Sequence, residues 1–333
     1  FISFKNITKR FPGVLALDDV SFDIARGSCH ALMGENGAGK STLGKILAGV
    51  YVADGGGIHL DGKPVHAANP LAARKLGIAM VHQELAFCPD LTVAENLCLG
   101  QLPATAGWLD RRRLREQARA MLAEIESDIA VDTPIGELST AQEQMVQIAG
   151  AVGTGAQIIV MDEPTSSLSV RESEALFELL AKLKQRGLTI IYVSHRLEEI
   201  FQLCDTISVL RDGKHVATEK ISTTNRERII QQMVGREVNQ YSSKHLAQQP
   251  GVEVLRVEDL ASPGKFSRVS FTLRRGEILG FAGLVGAGRS EVAQAIFGAD
   301  PKATGRVFVH GKELALGSVT KSLAAGIGFL PED

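Results

Sequence analysis

The chain has 333 residues, 44% of them apolar and 22% charged, with 36 basic against 38 acidic side chains. That composition excludes wholesale disorder, and a net charge of −2 argues against a general electrostatic affinity for nucleic acid, which needs a basic excess. No uninterrupted apolar run reaches the roughly 18 residues of a membrane span, no signal-peptide pattern stands at the start, and Cys29, Cys88, Cys98 and Cys204 lack metal-ligand spacing, so they are expected as free thiols of a reducing compartment.

At about 150 residues per domain the length suggests two domains. In chain order, residues 2–8 and 20–24 alternate and predict strands. Residues 29–33 are a short apolar strand, followed by a glycine-rich loop and a helix over about 40–48 that Gly49 ends. The glycines at 55–57 predict a turn, 58–60 a strand, and 78–81 a buried strand. From about 84 to 153 the character becomes helical. Leu114, Ala118, Met121, Leu122 and Ile125 recur at helical spacing, with Arg111, Arg112 and Arg113 as a solvated helix start. A second helix opens at Ser139 with Gln142 as its capping-box partner and a predicted apolar face of Ala141, Met145, Ile148, Ala149 and Val152. Alternation of strands and helices then resumes: strand 158–161, helix 171–186, strand 189–193, helix 196–203, and a hairpin of 207–210 with 215–218 over Asp212-Gly213. Residues from about 235 to 250 are polar and rich in Gln and Ser, which predicts a linker.

Residues 20–84 superpose on 269–333 at a constant offset of 249 without a gap. Gly34, Gly37, Ala38, Gly39 and Ser41 meet Gly283, Gly286, Ala287, Gly288 and Ser290. The expected organisation is therefore one full unit at 1–240 with a helical insertion at about 84–153, a linker at 241–252, and the N-terminal third of a second copy at 253–333. A complete second copy would bring the total to about 490 residues, and with Phe1 in place of an initial Met the expectation is a part of a longer tandem protein.

Gly34, Glu35, Asn36, Gly37, Ala38, Gly39, Lys40 and Ser41 match G-x-x-x-x-G-K-[ST] between a predicted strand and a predicted helix. Glycines let backbone N–H groups wrap an anion, and the helix N-terminus adds positive potential. Lys40 is expected to reach the β- and γ-phosphates of a nucleotide, and Ser41 to hold Mg²⁺. The strand 158–161 delivers Asp162 and Glu163 at its C-terminal end, where open α/β sheets bind ligands. There Asp162 can hold the metal through water and Glu163 can act as general base.

With these motifs in order, the chain resembles the nucleotide-binding subunit of an ABC transporter. Phe11 stands 29 residues before Lys40, where that family places an aromatic that stacks on adenine. Gln83 stands in the Q-loop position, Leu138-Ser139-Thr140-Ala141-Gln142 in the signature position, and His195 in the switch-histidine position. The resemblance implies an α/β fold: a P-loop NTPase core of ABC type with an antiparallel β subdomain and a helical insertion. It implies ATP and Mg²⁺ as ligands, with Thr42 closing the phosphate loop, Gln83 touching Mg²⁺ and the attacking water, and His195 sensing the γ-phosphate. Two units would sandwich two ATP molecules, each held by the phosphate loop of one unit and the signature helix of the other.

Four departures cluster. Thr140 and Ala141 replace the signature glycines, and Ser169 replaces an Asp of the following loop. In the second copy Gly283, Gly286, Gly288, Arg289 and Ser290 form a phosphate loop with arginine for lysine, and Glu332 stands where the first copy has Gln83. The resemblance thus implies one degenerate composite site and one resting on Lys40, Glu163 and His195. The motif set, including Ser194 to Glu199 and the second-copy GAGRS, resembles double-domain ATPases that energise bacterial monosaccharide importers of the ribose, galactose and xylose type.

The resemblance implies integral-membrane permease subunits as partners, and indirectly a periplasmic or surface sugar-binding protein. A second ABC domain in cis or a second copy of the chain would complete the pair. The location would be peripheral, at the cytoplasmic face of the bacterial plasma membrane. A soluble tandem ABC ATPase acting on ribosomes is the alternative, but those carry a long charged helical linker. A DNA-repair ABC ATPase needs a long coiled coil, and a small-molecule kinase would lack the signature and switch histidine. The chain alone is expected to bind Mg-ATP and turn it over slowly.

Overall fold

Three apolar runs, Cys29–Met33, Ile158–Asp162 and Thr189–Val193, are buried along their whole length. Such continuous runs belong inside a parallel sheet covered on both faces. In the computed structural model, which describes residues 1–82, 86–105, 108–235, 251–283 and 286–331, they are the centre of a six-stranded sheet. Its spatial order is Lys214–Lys220, Thr206–Arg211, Cys29–Met33, Thr189–Val193, Ile158–Asp162, Ile78–Val81. All neighbours run parallel except the hairpin of Thr206–Arg211 with Lys214–Lys220. The turn of that hairpin is Asp212-Gly213, both at positive φ, as a two-residue turn requires.

Successive strand residues alternate between two cores. Cys29, Ala31, Ile159, Met161, Ile190 and Tyr192 pack with Leu176, Leu179, Leu180 and Leu183 of the helix Val170–Gln185 and with the helical insertion. Leu32, Ile158, Val160, Ile191 and Val193 pack with Leu43, Ile46 and Leu47 of the helix Lys40–Leu47 and with an antiparallel sheet. That sheet has the order Val14–Ile24, Ile2–Phe11, Gly55–Leu60, Lys63–Val65.

The turn expected at 55–57 is instead the start of a strand, Gly55–Leu60. The register with Ile2–Phe11 slips between Lys5 and Thr8. Gly56 takes φ +78° there, and a Cβ on it would fall 2.2 Å from the Asn6 carbonyl oxygen. The glycines serve a bulge under a close strand crossing rather than a reversal.

The insertion holds the helices Val93–Leu97, Arg111–Ala123 and Thr140–Gly153 and the small hairpin Ala104–Thr105 with Trp108–Leu109. Ser139 caps the third helix reciprocally: its hydroxyl accepts from the Gln142 N–H at 3.3 Å, and the Gln142 side chain accepts from the Ser139 N–H at 3.0 Å. The buried face of that helix is wider than expected. Gln144 and Val146 are buried with Ile148, Ala149 and Val152, whereas Ala141 and Met145 are only half-buried. The helix meets the other insertion helices and the strand Ile78–Val81, so no single apolar stripe describes it.

The chain divides into two compact units, Phe1–Val238 and Asn239–Asp333. The second contains a four-stranded antiparallel sheet in the order Phe266–Arg274, Glu253–Ser262, Thr304–Val309, Lys312–Leu314, the same topology as in the first. The likeness reaches single bonds. The Asn6 N–H donates to Ser21 Oγ at 2.8 Å, and the Asp259 N–H donates to Ser270 Oγ at 2.8 Å. Residues 278–282, which correspond to the strand Cys29–Met33 at the repeat offset of 249, form no strand, and Ile278 is 85% exposed. In the first unit that strand is held between Thr189–Val193 and Thr206–Arg211. Among the described residues no helix is long and apolar enough to cross a membrane. Cys29, Cys98 and Cys204 are buried free thiols and Cys88 an exposed one.

His30 sits in the central strand, 1% exposed, between Thr206 Oγ1 at 2.7 Å from Nδ1 and Ser208 Oγ at 2.8 Å from Nε2. Burial first, and the His215 charge second, lower its pKa to about 4. The folded value lies below the unfolded one, so only the unfolded chain takes up this proton as pH falls from about 6.5 to about 4. Stability from His30 is complete above that window and is lost on acidification through it. Thermal melts should show a larger fall in Tm between pH 7 and pH 4.5 for the parent chain than for His30→Gln.

Candidate functional site

The strand Cys29–Met33 runs into the loop 34–39, and Gly39, at φ +98°, opens the helix Lys40–Leu47. Gly34 packs so closely that a Cβ on it would fall 2.2 Å from the Leu210 carbonyl oxygen. Around Gly37 there is open space, which leaves the loop backbone accessible to an anion. Lys40 is 6% exposed, and its ammonium donates to the carbonyl oxygens of Gly34 at 2.9 Å and Glu35 at 3.1 Å. Burial depresses its pKa, while the Glu163 and Asp162 carboxylates pull the other way.

Above the loop lies a cavity of about 480 Å³. It runs from Phe11 and Val14 at the hairpin tip over Asn36, Gly37, Gly39, Lys40, Ser41 and Thr42 to Glu163. Gly34, Glu35 and Ala38 do not line it, Ala38 being 3% exposed. Phe11 is steadied edge-on by Tyr51, with ring centroids 5.3 Å apart.

Ser41 Oγ donates to Asp162 Oδ1 at 2.9 Å. Asp162 is 4% exposed, and burial raises its pKa against the opposing pull of Ser41 and Lys45. Glu163 adopts φ +47°, unusual for a side chain larger than glycine, and its N–H donates to the Val193 carbonyl at 2.9 Å. Its Oε1 lies 3.1 Å from His195 Nδ1. Two adjacent parallel strands thus bring Glu163 and His195 together across their C-terminal ends.

A triphosphate with Mg²⁺ suits this donor set. A buried ammonium satisfied only by loop carbonyls can turn to phosphate, and the paired hydroxyl and carboxylate are the hard oxygen ligands Mg²⁺ prefers. Among the described residues no group of three or more His, Cys, Asp or Glu is arranged to hold a metal.

Other expected site residues stand apart. Leu138 is half-buried and Ser139, Thr140 and Gln142 are exposed at the start of the helix Thr140–Gly153, with half-buried Ala141, and none lines the cavity. Gln83 and Glu332 lie outside the described residues. Ser169 caps the helix Val170–Gln185 reciprocally with Glu172, a reason for serine at that position. In the second unit Gly286 and Gly288 keep the positive φ of Gly37 and Gly39, Gly283 precedes them, and Arg289 and Ser290 begin the helix Arg289–Phe297.

The second hairpin is shorter. Ile7 pairs with Val20 and Leu260 with Val269, so twelve residues lie between the partners in the first unit and eight in the second. The four-residue stretch that carries Phe11 has no counterpart there. Asp300, 3% exposed, instead accepts from Ser262 and Lys265, each at 2.8 Å.

The buried parallel strands, the glycine loop opening a helix and the acidic strand end define a P-loop α/β cassette. The sequence profile of the ABC transporter family matches residues 17–166 and again 266–333, and the chain belongs to that family. It is 48% identical over 335 residues to the arabinose import ATP-binding protein AraG of Rhizobium etli. It is 46% identical over 334 residues to the ribose import ATP-binding protein RbsA of Chromobacterium violaceum. Both alignments cover 100% of this chain and 66% of the relative, so the chain spans slightly less than two thirds of their length. Among solved structures, the ADP conformation of an ATP-binding cassette of an ABC transporter superposes with a TM-score of 0.61 at 26% identity, covering 71% of this chain and 98% of the other. A dimeric bacterial ABC transporter cassette gives 0.57 at 28% identity, covering 66% and 99%.

Proposed function

We propose that the first unit binds and hydrolyses Mg-ATP and that the chain is the ATP-binding subunit of a bacterial importer for simple sugars. The observation that carries the reading is that Asn36, Gly37, Gly39, Lys40, Ser41, Thr42 and Glu163 line one cavity, with Ser41 bonded to Asp162 and Glu163 in contact with His195. Phe11 stacks on the adenine, and the loop N–H groups with Lys40 hold the phosphates. Ser41, Asp162 through water, and Gln83 would hold Mg²⁺, which would neutralise charge on the phosphate oxygens. Glu163 accepts the proton of the attacking water, and His195, bonded to Glu163, contacts the γ-phosphate. Residues 138–142 serve a γ-phosphate held by another cassette, with the helix N-terminus as the donor group.

In this reading residues 1–240 are the first ABC domain, 241–252 the linker and 253–333 part of a second, whose loop 283–290 is the altered copy. Partners are permease subunits, with a sugar-binding protein beyond them, and the location is the cytoplasmic face of the plasma membrane. The names of the relatives, arabinose and ribose import proteins, support sugars as cargo. Affinity isolation of the tagged chain from gently solubilised membranes tests this. An integral-membrane permease should co-purify in fixed proportion, and recovery with ribosomes instead would favour the soluble alternative.

A further inference from the structure

The loops that carry Glu163 and His195 share a buried carboxylate with no role in the scheme above. The Glu199 side chain is 8% exposed. It accepts from Thr165 Oγ1 at 2.7 Å, Tyr192 OH at 2.9 Å, Ser194 Oγ at 3.0 Å and Arg196 Nη1 at 3.3 Å. Thr165, 2% exposed, follows Glu163 by two residues, and Ser194, 3% exposed, precedes His195 by one. Ser194 Oγ also accepts from the Arg196 N–H at 3.0 Å. One carboxylate therefore ties the loop after Ile158–Asp162 to the loop after Thr189–Val193. Those two loops carry the two partners of the 3.1 Å contact. Ordinary stability does not require an anion here, since a buried carboxylate is costly unless every acceptor position is used. What four converging donors achieve is a fixed distance between two loops that are otherwise joined by the Glu163 N–H bond to Val193.

We infer that Glu199 is a positioning residue that holds Glu163 and His195 in register for hydrolysis. The inference rests on the reading of the first unit as an ATPase. Neutralising the clamp should misplace the general base without touching the nucleotide contacts of Phe11, Lys40 and Ser41, which lie on other segments. Displacements of this kind lower turnover about 10- to 100-fold.

The test uses the full chain and the near-isosteric variants Glu199→Gln and Thr165→Val, with Glu163→Gln alongside. Each is assayed for Mg-ATP turnover, for ATP affinity by titration calorimetry, and for the side-chain nitrogen resonances of His195 by NMR, assigned with His195→Gln. The expected result is a kcat reduced about 10-fold or more, KM and ATP affinity within about twofold of the parent, and a shifted or broadened His195 Nδ1 resonance. An unchanged kcat with an unchanged His195 signal overturns the inference, as does a loss of ATP affinity parallel to the loss of kcat. If the parent does not hydrolyse ATP, or Glu163→Gln hydrolyses as fast as the parent, the ATPase reading fails instead. The His195 resonance then still decides whether Glu199 positions that side chain.

Discussion

Glu163→Gln is expected to leave ATP bound and to lower hydrolysis at least about 100-fold, the scale of a lost general base. Glutamine preserves volume, so the left-handed backbone at φ +47° and the Glu163 N–H bond to Val193 are retained. The amide cannot take the proton from water. It can still reach His195, at the position where Oε1 now lies 3.1 Å from Nδ1. The cavity would keep its phosphate loop, its Ser41–Asp162 bond and the Phe11 platform. Filter retention of labelled ATP together with phosphate release checks both halves of the expectation. Phosphate release at the parental rate would remove Glu163 from the role of base.

Much of this site is legible in the sequence because its logic is local. The phosphate loop needs particular residues at consecutive positions, and so does the capping box of Ser139 with Gln142. The buried strands 29–33, 158–162 and 189–193 announce themselves by short, dominantly apolar runs. The helices Pro70–Lys75, Val93–Leu97 and Arg226–Val234 are marked in the sequence only by their caps, Asn69, Thr92 and Asn225. Their five to nine residues are too few for periodicity to speak.

What escaped the sequence depends on distant partners. Gly55, Gly56 and Gly57 resemble a turn until Asn6 is seen pressing on Gly56 from the neighbouring strand. The buried face of Thr140–Gly153 is set by several packing partners, and Gln144 and Val146 enter it for that reason. The Glu199 cluster joins residues from 165 to 199 contributed by two loops, a strand and a helix, with no fixed spacing to recognise. The missing counterpart of Phe11 lies before Val20, where the gapless repeat begins. It emerges only from the pairing of Leu260 with Val269.

Lys40→Ala carries the second large effect. Lys40 is buried to 6% exposure under the loop, with its charge aimed between Gly34 and Glu35 carbonyls and drawn toward Asp162 and Glu163. In a low-dielectric pocket a cation so placed supplies the main counter-charge to a triphosphate. Removing it should weaken ATP binding about 100-fold, the cost of leaving a buried charge uncompensated. The glycine loop and the flanking strand should survive, because Lys40 bonds only to loop carbonyls. Near-parental Tm in Lys40→Ala would separate loss of the site from loss of the fold.

The same logic predicts asymmetry between the two loops. The second has Arg289 where the first has Lys40, and its hairpin lacks the stretch that carries Phe11. Titration calorimetry of Mg-ATP into the parent chain, Lys40→Ala and Arg289→Ala is therefore the most direct test of the claim that nucleotide is held by the first unit. The high-affinity isotherm should disappear in Lys40→Ala and persist in Arg289→Ala. Parental affinity in Lys40→Ala, or loss of the isotherm in Arg289→Ala alone, would contradict it.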